Sequence, residues 1–169
     1  MKIRISKCSI EYDGKLEHLS LLNFLSWFII FSDDIKFLLF VKDHEIRGVD
    51  FEKADFNVIP VITIPHVDKP TAIDYDVNSS TLYWADKGLK VINKANFNAD
   101  VETLIDKGLS NPEGFAIDWL SENMYFSSYD TEKKTASISV ATLAGSFRTE
   151  IINKNISQPN SIALHPHKG

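Results

Sequence analysis

The sequence predicts an all-β chain in which one four-stranded unit recurs, as in the blades of a propeller. Two similar stretches repeat at a spacing of 42 residues, and a third begins 47 residues after the second. No helical stripe of apolar residues persists beyond Ser32. A period of about 40 to 45 residues with four strands per unit is typical of a propeller blade.

The two complete repeats align without a gap on their prolines. The matched pairs are Pro70 with Pro112, Ile73 with Phe115, Asp76 with Asp118, Leu82 with Met124, Tyr83 with Tyr125 and Trp84 with Phe126. In the third copy, Pro159, Ile162 and His165 take the proline, apolar and aspartate places. The repeats therefore occupy about 69–109 and 110–156, and the start of a further blade occupies 157–169.

Strands are predicted from short β-rich runs that turn residues separate. In the two repeats these runs are 71–77, 81–87, 88–97, 101–106, 114–120, 123–130, 136–143 and 148–154. Before them, Phe37–Val41 and Ile46–Phe51 predict a strand, a turn and a strand. Residues 57–65 predict another strand, whose two prolines favour a sheet edge or a strand end.

Length and charge restrict the class of protein. A chain of 169 residues is long enough for one domain with a core. Its net charge is −5, and the sequence contains no cluster of basic residues. We therefore expect no nucleic-acid partner. The single cysteine, Cys8, excludes a disulfide within the chain and has no neighbours that mark a reactive thiol.

The N-terminal residues 1–34 form an apolar leader of uncertain status. Basic residues come first, but acidic residues separate them from the apolar run 18–31, and no small-residue cleavage pattern follows. The run is also short for a membrane span, which needs about 20 apolar residues. Three interpretations stay open: an unusual signal or anchor, a start that is foreign to the native chain, or a buried helix.

The motif strands "LYWAD" and "MYFSS" resemble the Tyr-Trp-Thr-Asp motif of low-density lipoprotein receptor class B repeats. The strand "PEGFAIDW" and the turn "LAGS" fit that family, and "FLLFVKDHEIRGVDF" is similar to the stretch that opens its propellers. The resemblance covers about 36–169 and is strongest to lipoprotein receptor-related proteins. Ala85, Phe126 and Ser128 depart from the motif.

The resemblance implies a partial six-bladed propeller over 35–169: an opening segment, two blades and the start of another. Such a piece cannot close a ring, so we expect a fragment of a longer endocytic receptor. The implied function is non-catalytic support of ligand binding, uptake and release, with no cofactor. The implied partners are protein or lipoprotein ligands and neighbouring growth-factor-like modules. The implied location is the outer or luminal side of the cell surface and endosomes, with membrane attachment through other parts of the parent.

The motif residues have a structural explanation. Because side chains alternate along a strand, Tyr83 and Ala85 should face one way, and Trp84 and Asp86 the other. A large ring can fill the gap between packed sheets, whereas a buried aspartate needs N–H donors. The predicted joint between blades comprises Tyr83, Trp84, Asp86, Tyr125 and Phe126, with the recurring carboxylates Asp76 and Asp118. Asp76 with Asp86 as an acid–base pair is disfavoured, because an active site is needed only once.

Two alternative functions stay open. A six-bladed propeller hydrolase or lactonase would hold a channel metal, for which Glu113 and Asn160 are the one suggestive pair. A secreted matrix or signalling propeller is the other alternative. No catalytic, cofactor or metal residue is predicted.

Two further groups of residues have predicted roles. Asn78 and Asn155 begin glycosylation sequons. The family implies release of ligand at endosomal pH by propeller histidines, which transfers to His66, His165 and His167 as candidates.

Overall fold

The structure is a computed structural model. It describes residues 4–6, 9–12, 15–17, 27–31, 36–50, 58–62, 66–96 and 100–165. Every regular element in these ranges is a β-strand, which confirms the all-β prediction. The first three strands form an antiparallel meander in chain order: β1 (Arg4–Ser6), β2 (Ser9–Tyr12) and β3 (Lys15–Glu17). Among the residues that the structure describes, none forms a helix with the length and hydrophobicity of a membrane span.

Three four-stranded antiparallel sheets follow, and in each the strands neighbour one another in chain order. Blade 1 contains β4 (Trp27–Phe31), β5 (Lys36–Lys42), β6 (Glu45–Asp50) and β7 (Val58–Ile62). Blade 2 contains β8 (Pro70–Asp76), β9 (Thr81–Asp86), β10 (Val91–Asn96) and β11 (Glu102–Ile105). Blade 3 contains β12 (Phe115–Asp118), β13 (Asn123–Asp130), β14 (Thr135–Thr142) and β15 (Thr149–Ile152).

Each predicted repeat therefore forms one sheet, and all eight predicted strands of the two repeats are present. The opening segment supplies β5, β6 and β7, with Pro60 on the edge strand as expected. Residues 157–165, the start of the third copy, lie outside any strand.

Part of the N-terminal leader forms a strand and not the buried helix that was one of its three interpretations. A buried helix is wrong for Trp27–Phe31, because these residues form β4 and pair antiparallel with β5 over five positions. The strand β4 lies before the predicted boundary at 34/35 and its partner β5 lies after it, so one sheet takes strands from both segments. The rest of the apolar run, 18–26, lies outside the described residues.

The first two hairpin turns of blade 2 and of blade 3 share one construction. An aspartate ends the first strand, and the residue four positions later has a left-handed backbone just before the next strand begins. The aspartates are Asp76, Asp86, Asp118 and Asp130. The left-handed residues are Ser80, Lys90, Glu122 and Lys134, with φ between 52 and 59°. Each carboxylate accepts hydrogen bonds from within its own turn, as an Asx turn does.

The blades pack face to face around two apolar cores. The first core joins Leu39, Val41 and Ile46 of blade 1 to blade 2 residues that include Leu82 and Trp84. The second core joins the opposite face of blade 2 to blade 3; its members include Tyr83, Ala85, Ile92, Ile105, Phe115, Ile117, Met124 and Phe126. Blade 2 is therefore buried on both faces, and β9 is buried along its whole length.

Candidate functional site

The motif strand β9 serves two interfaces at once. Trp84 is fully buried in the core with blade 1, whereas Tyr83 and Ala85 lie in the core with blade 3. In blade 3, Phe126 is fully buried against blade 2. The alternation expected from the sequence thus places one large ring in each gap between neighbouring blades.

Asp86 holds the link that enters blade 2. Its carboxylate is fully buried and accepts backbone N–H groups from Asp68 at 2.7 Å, Lys69 at 3.0 Å and Leu89 at 2.9 Å. The first two donors belong to the link between β7 and β8, and the third belongs to the turn after β9. Three N–H donors stabilise a carboxylate that would otherwise be costly to bury. Asp86 therefore fixes the link between blades 1 and 2.

The same link is held from blade 1 by a histidine that the sequence did not single out. His44 Nδ1 contacts the backbone carbonyl oxygen of Asp68 and lies 3.2 Å from the carboxylate oxygen Oδ1 of the same residue. Gly88 lies close on the other side, because a Cβ there would lie 2.0 Å from Asp68 Oδ2 and would force the Asp68 side chain to move. The link thus lies between the β5–β6 turn of blade 1 and the β9–β10 turn of blade 2 and contacts both.

Blade 3 repeats this joint with a different side chain. Ser128 stands where Asp86 stands in blade 2, and Ser110 stands 42 residues after Asp68. The Ser110 N–H donates to Ser128 Oγ at 3.0 Å, and Ser128 Oγ donates to the Ser110 carbonyl at 2.8 Å. Sequence reasoning treated the aspartate as lost, but the hydroxyl replaces part of its hydrogen bonding. The repeat period could have predicted this joint, because Ser110 lies 42 residues after Asp68.

Asp74 forms a second bridge between blades that sequence reasoning missed. Its Oδ2 accepts the Ile117 N–H at 2.8 Å, from the first strand of blade 3, and its Oδ1 accepts the Tyr75 N–H at 2.8 Å. Burial raises the pKa of Asp74 to about 6, against the lowering effect of these two N–H groups, and Asp76 adds a smaller increase. Ala116 occupies the corresponding place in blade 3, so no repeat marked this position.

The recurring carboxylates Asp76 and Asp118 lie at turns. Asp76 accepts the Asn78 N–H at 2.9 Å and the Ser79 hydroxyl at 2.6 Å. Asp118 accepts two turn N–H groups at 3.1 Å each, and that of Ser121 is the main reason that its pKa is lowered. Since Asp76 pairs with Thr81 and Asp86 pairs with Pro70, Asp76 and Asp86 lie at opposite ends of one hairpin. The structure therefore does not bring them together as an acid–base pair.

Glu113 and Asn160, the suggestive pair for a hydrolase, do meet. With its amide oriented to satisfy both neighbours, Asn160 donates from Nδ2 to Glu113 Oε2 at 3.0 Å. The other oxygen of Glu113 is in an ion pair with the Lys87 ammonium group, so a cation already neutralises this carboxylate. Within the described ranges, no group of three or more His, Cys, Asp or Glu residues is placed to hold a metal ion.

The remaining predictions concern histidines and asparagines. His66 and His165 are exposed, while His167 lies outside the described residues. Asn78 is exposed in the β8–β9 turn, and Asn155 is exposed after β15 with φ 58°. Their roles in pH sensing and glycosylation stay predictions.

Three sheets packed face to face and joined by such links define part of a β-propeller. Residues 80–119 and 122–166, which make up half of the chain, match the family described as low-density lipoprotein receptor repeat class B. The chain belongs to this family.

Similar proteins agree with this assignment. Low-density lipoprotein receptor-related protein 8 of Gallus gallus is 38% identical over 120 residues, which is 68% of this chain and 12% of the relative. Low-density lipoprotein receptor-related protein 5 of Mus musculus is 36% identical over 135 residues, which is 78% of this chain and 8% of the relative. The chain thus spans only a small part of these receptors.

A solved structure shows the same fold. A chain in the crystal structure of a nidogen/laminin complex superposes with a TM-score of 0.73 over 90% of this chain and 61% of that chain. At 19% identity this likeness concerns the fold alone. It agrees with the prediction of a partial propeller.

Replacing Asp86 tests the blade joint. We expect Asp86→Ala to lower the free energy of unfolding by on the order of 3 kcal/mol, because three N–H groups lose a buried acceptor. Ser128→Ala should cost about 1 kcal/mol, because it removes a single neutral pair of contacts. Urea denaturation followed by circular dichroism measures both, with the exposed Asp106→Ala as control. An effect of Asp86→Ala equal to that of the control would contradict the joint.

Asp74 predicts a pH dependence of stability. Its folded pKa of about 6 exceeds its ordinary value of 3.8, so the folded state binds the proton more tightly. Its stabilising contribution is therefore complete below about pH 4 and is lost as the pH rises through about 6, by at most about 3 kcal/mol. Asp74→Asn can still accept the Ile117 N–H but carries no charge. Relative to wild type, we expect this variant to gain stability between about pH 4 and 7. A constant difference across this range would show that Asp74 does not titrate in it.

Proposed function

We propose that this chain is a non-catalytic propeller segment of an endocytic receptor related to the lipoprotein receptor-related proteins. In its parent, the segment lies outside the cell or in the endosomal lumen and supports binding, uptake and release of protein or lipoprotein ligands. The observation that carries the proposal is family membership together with blade joints of the repeat type. The similar proteins are named as receptors, and the solved neighbour comes from a complex with laminin.

The described carboxylates support a non-catalytic role. Asp86 and Asp74 are engaged by backbone N–H groups, Asp76 and Asp118 close turns, and Glu113 is neutralised by Lys87. A hydrolase would need several such groups directed at a substrate instead. Assay of the purified parent ectodomain against small esters with added divalent metal tests this point. Turnover that Glu113→Gln abolishes would favour the hydrolase.

Binding and release are measured on the parent ectodomain that contains this chain. Immobilised ectodomain is exposed separately to low-density lipoprotein particles and to laminin at neutral pH, and dissociation is then followed at about pH 5.5, where histidine becomes protonated. We expect at least one probe to bind and then to dissociate faster in acid. Absence of binding to both probes at neutral pH would contradict the proposal for these ligand classes.

Histidine variants of the same ectodomain assign the acid release. Changing His66, His165 and His167 together to alanine should keep the probe bound in acid, because the variant lacks the side chains on which the proposed release depends. The matched comparison is His44→Ala, which removes an imidazole at the blade joint. Release by the triple variant as fast as by wild type would exclude these three histidines.

We also propose that Asn78 and Asn155 carry N-linked glycans in the secretory pathway, since both asparagines are exposed and lie outside the strands. Asn78→Gln and Asn155→Gln should each remove one glycan from protein expressed in mammalian cells, as seen by intact mass before and after deglycosylation. Asn153→Gln, at an exposed asparagine outside a sequon, is the control. An unchanged mass for either sequon variant would exclude that site.

A further inference from the structure

The joint that enters blade 3 differs in charge from the joint that enters blade 2. Ser128 takes the place of Asp86, so one carboxylate is lost. Arg148 directly precedes the fourth strand of blade 3, whereas Val101 directly precedes the fourth strand of blade 2 and packs against the core with blade 1. A guanidinium therefore stands where blade 2 has an apolar side chain. Relative to blade 2, blade 3 has lost a negative charge and gained a positive one at this place.

The Arg148 guanidinium is held by contacts with the link and with blade 3. Its Nη1 donates to the Lys107 carbonyl and its Nη2 to the Gly108 carbonyl, each at 2.9 Å. The group also lies 5.2 Å from the centroid of the Phe126 ring. A Cβ at Gly108 would lie 3.2 Å from Nη1, so the glycine leaves room for the guanidinium. Two of its five N–H donors are used, and the others are held in one orientation, which reduces the entropy lost on binding.

No ion pair neutralises Arg148 among the residues that the structure describes. Lys133, in the β13–β14 turn, has its own carboxylate partner in Asp130 at 3.3 Å. Glu150 lies two residues from Arg148, but its carboxylate accepts a hydrogen bond from Asn153 at 3.3 Å. A partly buried charge is costly unless an opposite charge or solvent compensates it. The guanidinium is therefore a place where a carboxylate from outside the chain would bind favourably.

This guanidinium lines a groove of about 530 Å³ beside the link between blades 2 and 3. The link contributes Gly108 and Ser110 to the lining, and blade 3 contributes Ser128 and Ser137. Ser128 lies on the same side of its strand as Phe126, which packs against blade 2. The groove is therefore on the side of blade 3 that has a described neighbour, and a blade that follows blade 3 would pack on the other side.

The charges along the groove favour a ligand with a single negative charge over a polyanion. The charged residues of the lining are the cations Lys133, Arg148 and Lys154 and the carboxylates Asp130 and Glu150. The lining is thus positive by one charge in a chain whose net charge is −5. Its two carboxylates would repel a ligand with many negative charges. Exposed polar side chains at Thr135 and Asn153 can hydrogen-bond to a peptide backbone. A pocket of this size is within the range that takes a small ligand or a short segment.

We propose that this groove binds a protein segment through one aspartate or glutamate side chain. The carboxylate of that side chain pairs with Arg148 and supplies the negative charge that Asp86 supplies in blade 2, while the groove hydroxyls hydrogen-bond to the rest of the segment. The inference goes beyond the proposed function, which assigns no binding surface. Its test uses this chain without the rest of the parent, so failure here would leave ligand uptake by the parent unaffected.

NMR titration of the isotope-labelled 169-residue chain tests the proposal. The probe is a capped peptide of sequence Gly-Ser-Glu-Ser-Gly, and the same peptide with glutamine in place of glutamate is its control. We expect the acidic peptide to shift the amides of Ser110, Ser128 and Arg148 until they saturate. The glutamine peptide should bind at least about tenfold more weakly, because it lacks the charge. Equal binding of the two peptides, or no shift at these amides, would overturn the proposal.

Two variants assign the binding to the guanidinium. Arg148→Gln keeps an N–H donor for the link but removes the charge, so affinity for the acidic peptide should fall at least about tenfold. Ser128→Asp should fold, because Asp86 holds the same place in blade 2, and should weaken binding because the groove then has its own carboxylate. Lys134→Gln, at an exposed position outside the lining, is the matched control. Wild-type affinity in Arg148→Gln would contradict the proposal, and if that variant is unfolded, Ser128→Asp decides in the same way.

Two further probes distinguish the source of the negative charge. Acetate should bind more weakly than the acidic peptide, because it makes no contact with the groove hydroxyls. A heparin disaccharide should also bind more weakly, because Asp130 and Glu150 repel its sulfates. Acetate that binds as tightly as the peptide would refute the assignment to a protein segment. Tighter binding of the disaccharide at the same amides would refute it in favour of a sulfated glycan.

Discussion

Backbone N–H groups in the link between blades 1 and 2 need hydrogen-bond acceptors. The carboxylate of Asp86 accepts hydrogen bonds from two of these N–H groups, those of Asp68 and Lys69. The hydrophobic effect that holds the two sheets together is not directional, so the hydrogen-bonded link helps to set how one blade lies against the other. Fixing residues 68 and 69 fixes where β8 begins. The start of β8 in turn sets how Trp84 meets Leu39 and how Tyr83 meets the next blade. The apolar cores stabilise the stack, and the polar link sets its register.

The substitution of Ser128 for aspartate shows how much of this interaction is essential. A hydroxyl donates once and accepts once, whereas the Asp86 carboxylate accepts three times. Blade 3 nevertheless keeps its link in the same place, and a further hydroxyl, that of Ser127, accepts the Gly114 N–H at 2.7 Å. Arg148 adds support by donating to the carbonyls of Lys107 and Gly108. In blade 3 the hydroxyls of Ser127 and Ser128 and the guanidinium of Arg148 thus share the task that one carboxylate performs in blade 2.

The sequence predicted the strands that recur in each repeat, but it missed the strand and the contacts that occur only once. The period of 42 residues located both repeat blades and all eight of their strands, because each strand's pattern is local and appears twice. Strand β4 was missed, because its pairing with β5 depends on which edge is free and not on its composition. Asp74 and His44 escaped notice for a related reason: their partners are distant in sequence. Ile117 lies 43 residues from Asp74 in the next blade, and Asp68 lies 24 residues from His44 in the link to the next blade. Ser128 was noticed only as a departure from the motif.

Asp74 and the proposed histidine release respond to acid in ways that constrain each other. Protonation of Asp74 removes the cost of a buried charge between blades 2 and 3, so acid favours contact between these two blades. The proposed release in acid depends on His66, His165 and His167, of which His66 and His165 are exposed. Separation of blades 2 and 3 is therefore an unfavourable route for acid-driven release, because the same drop in pH strengthens their contact. Under the proposed function, ligand release in acid therefore leaves blades 2 and 3 packed against each other.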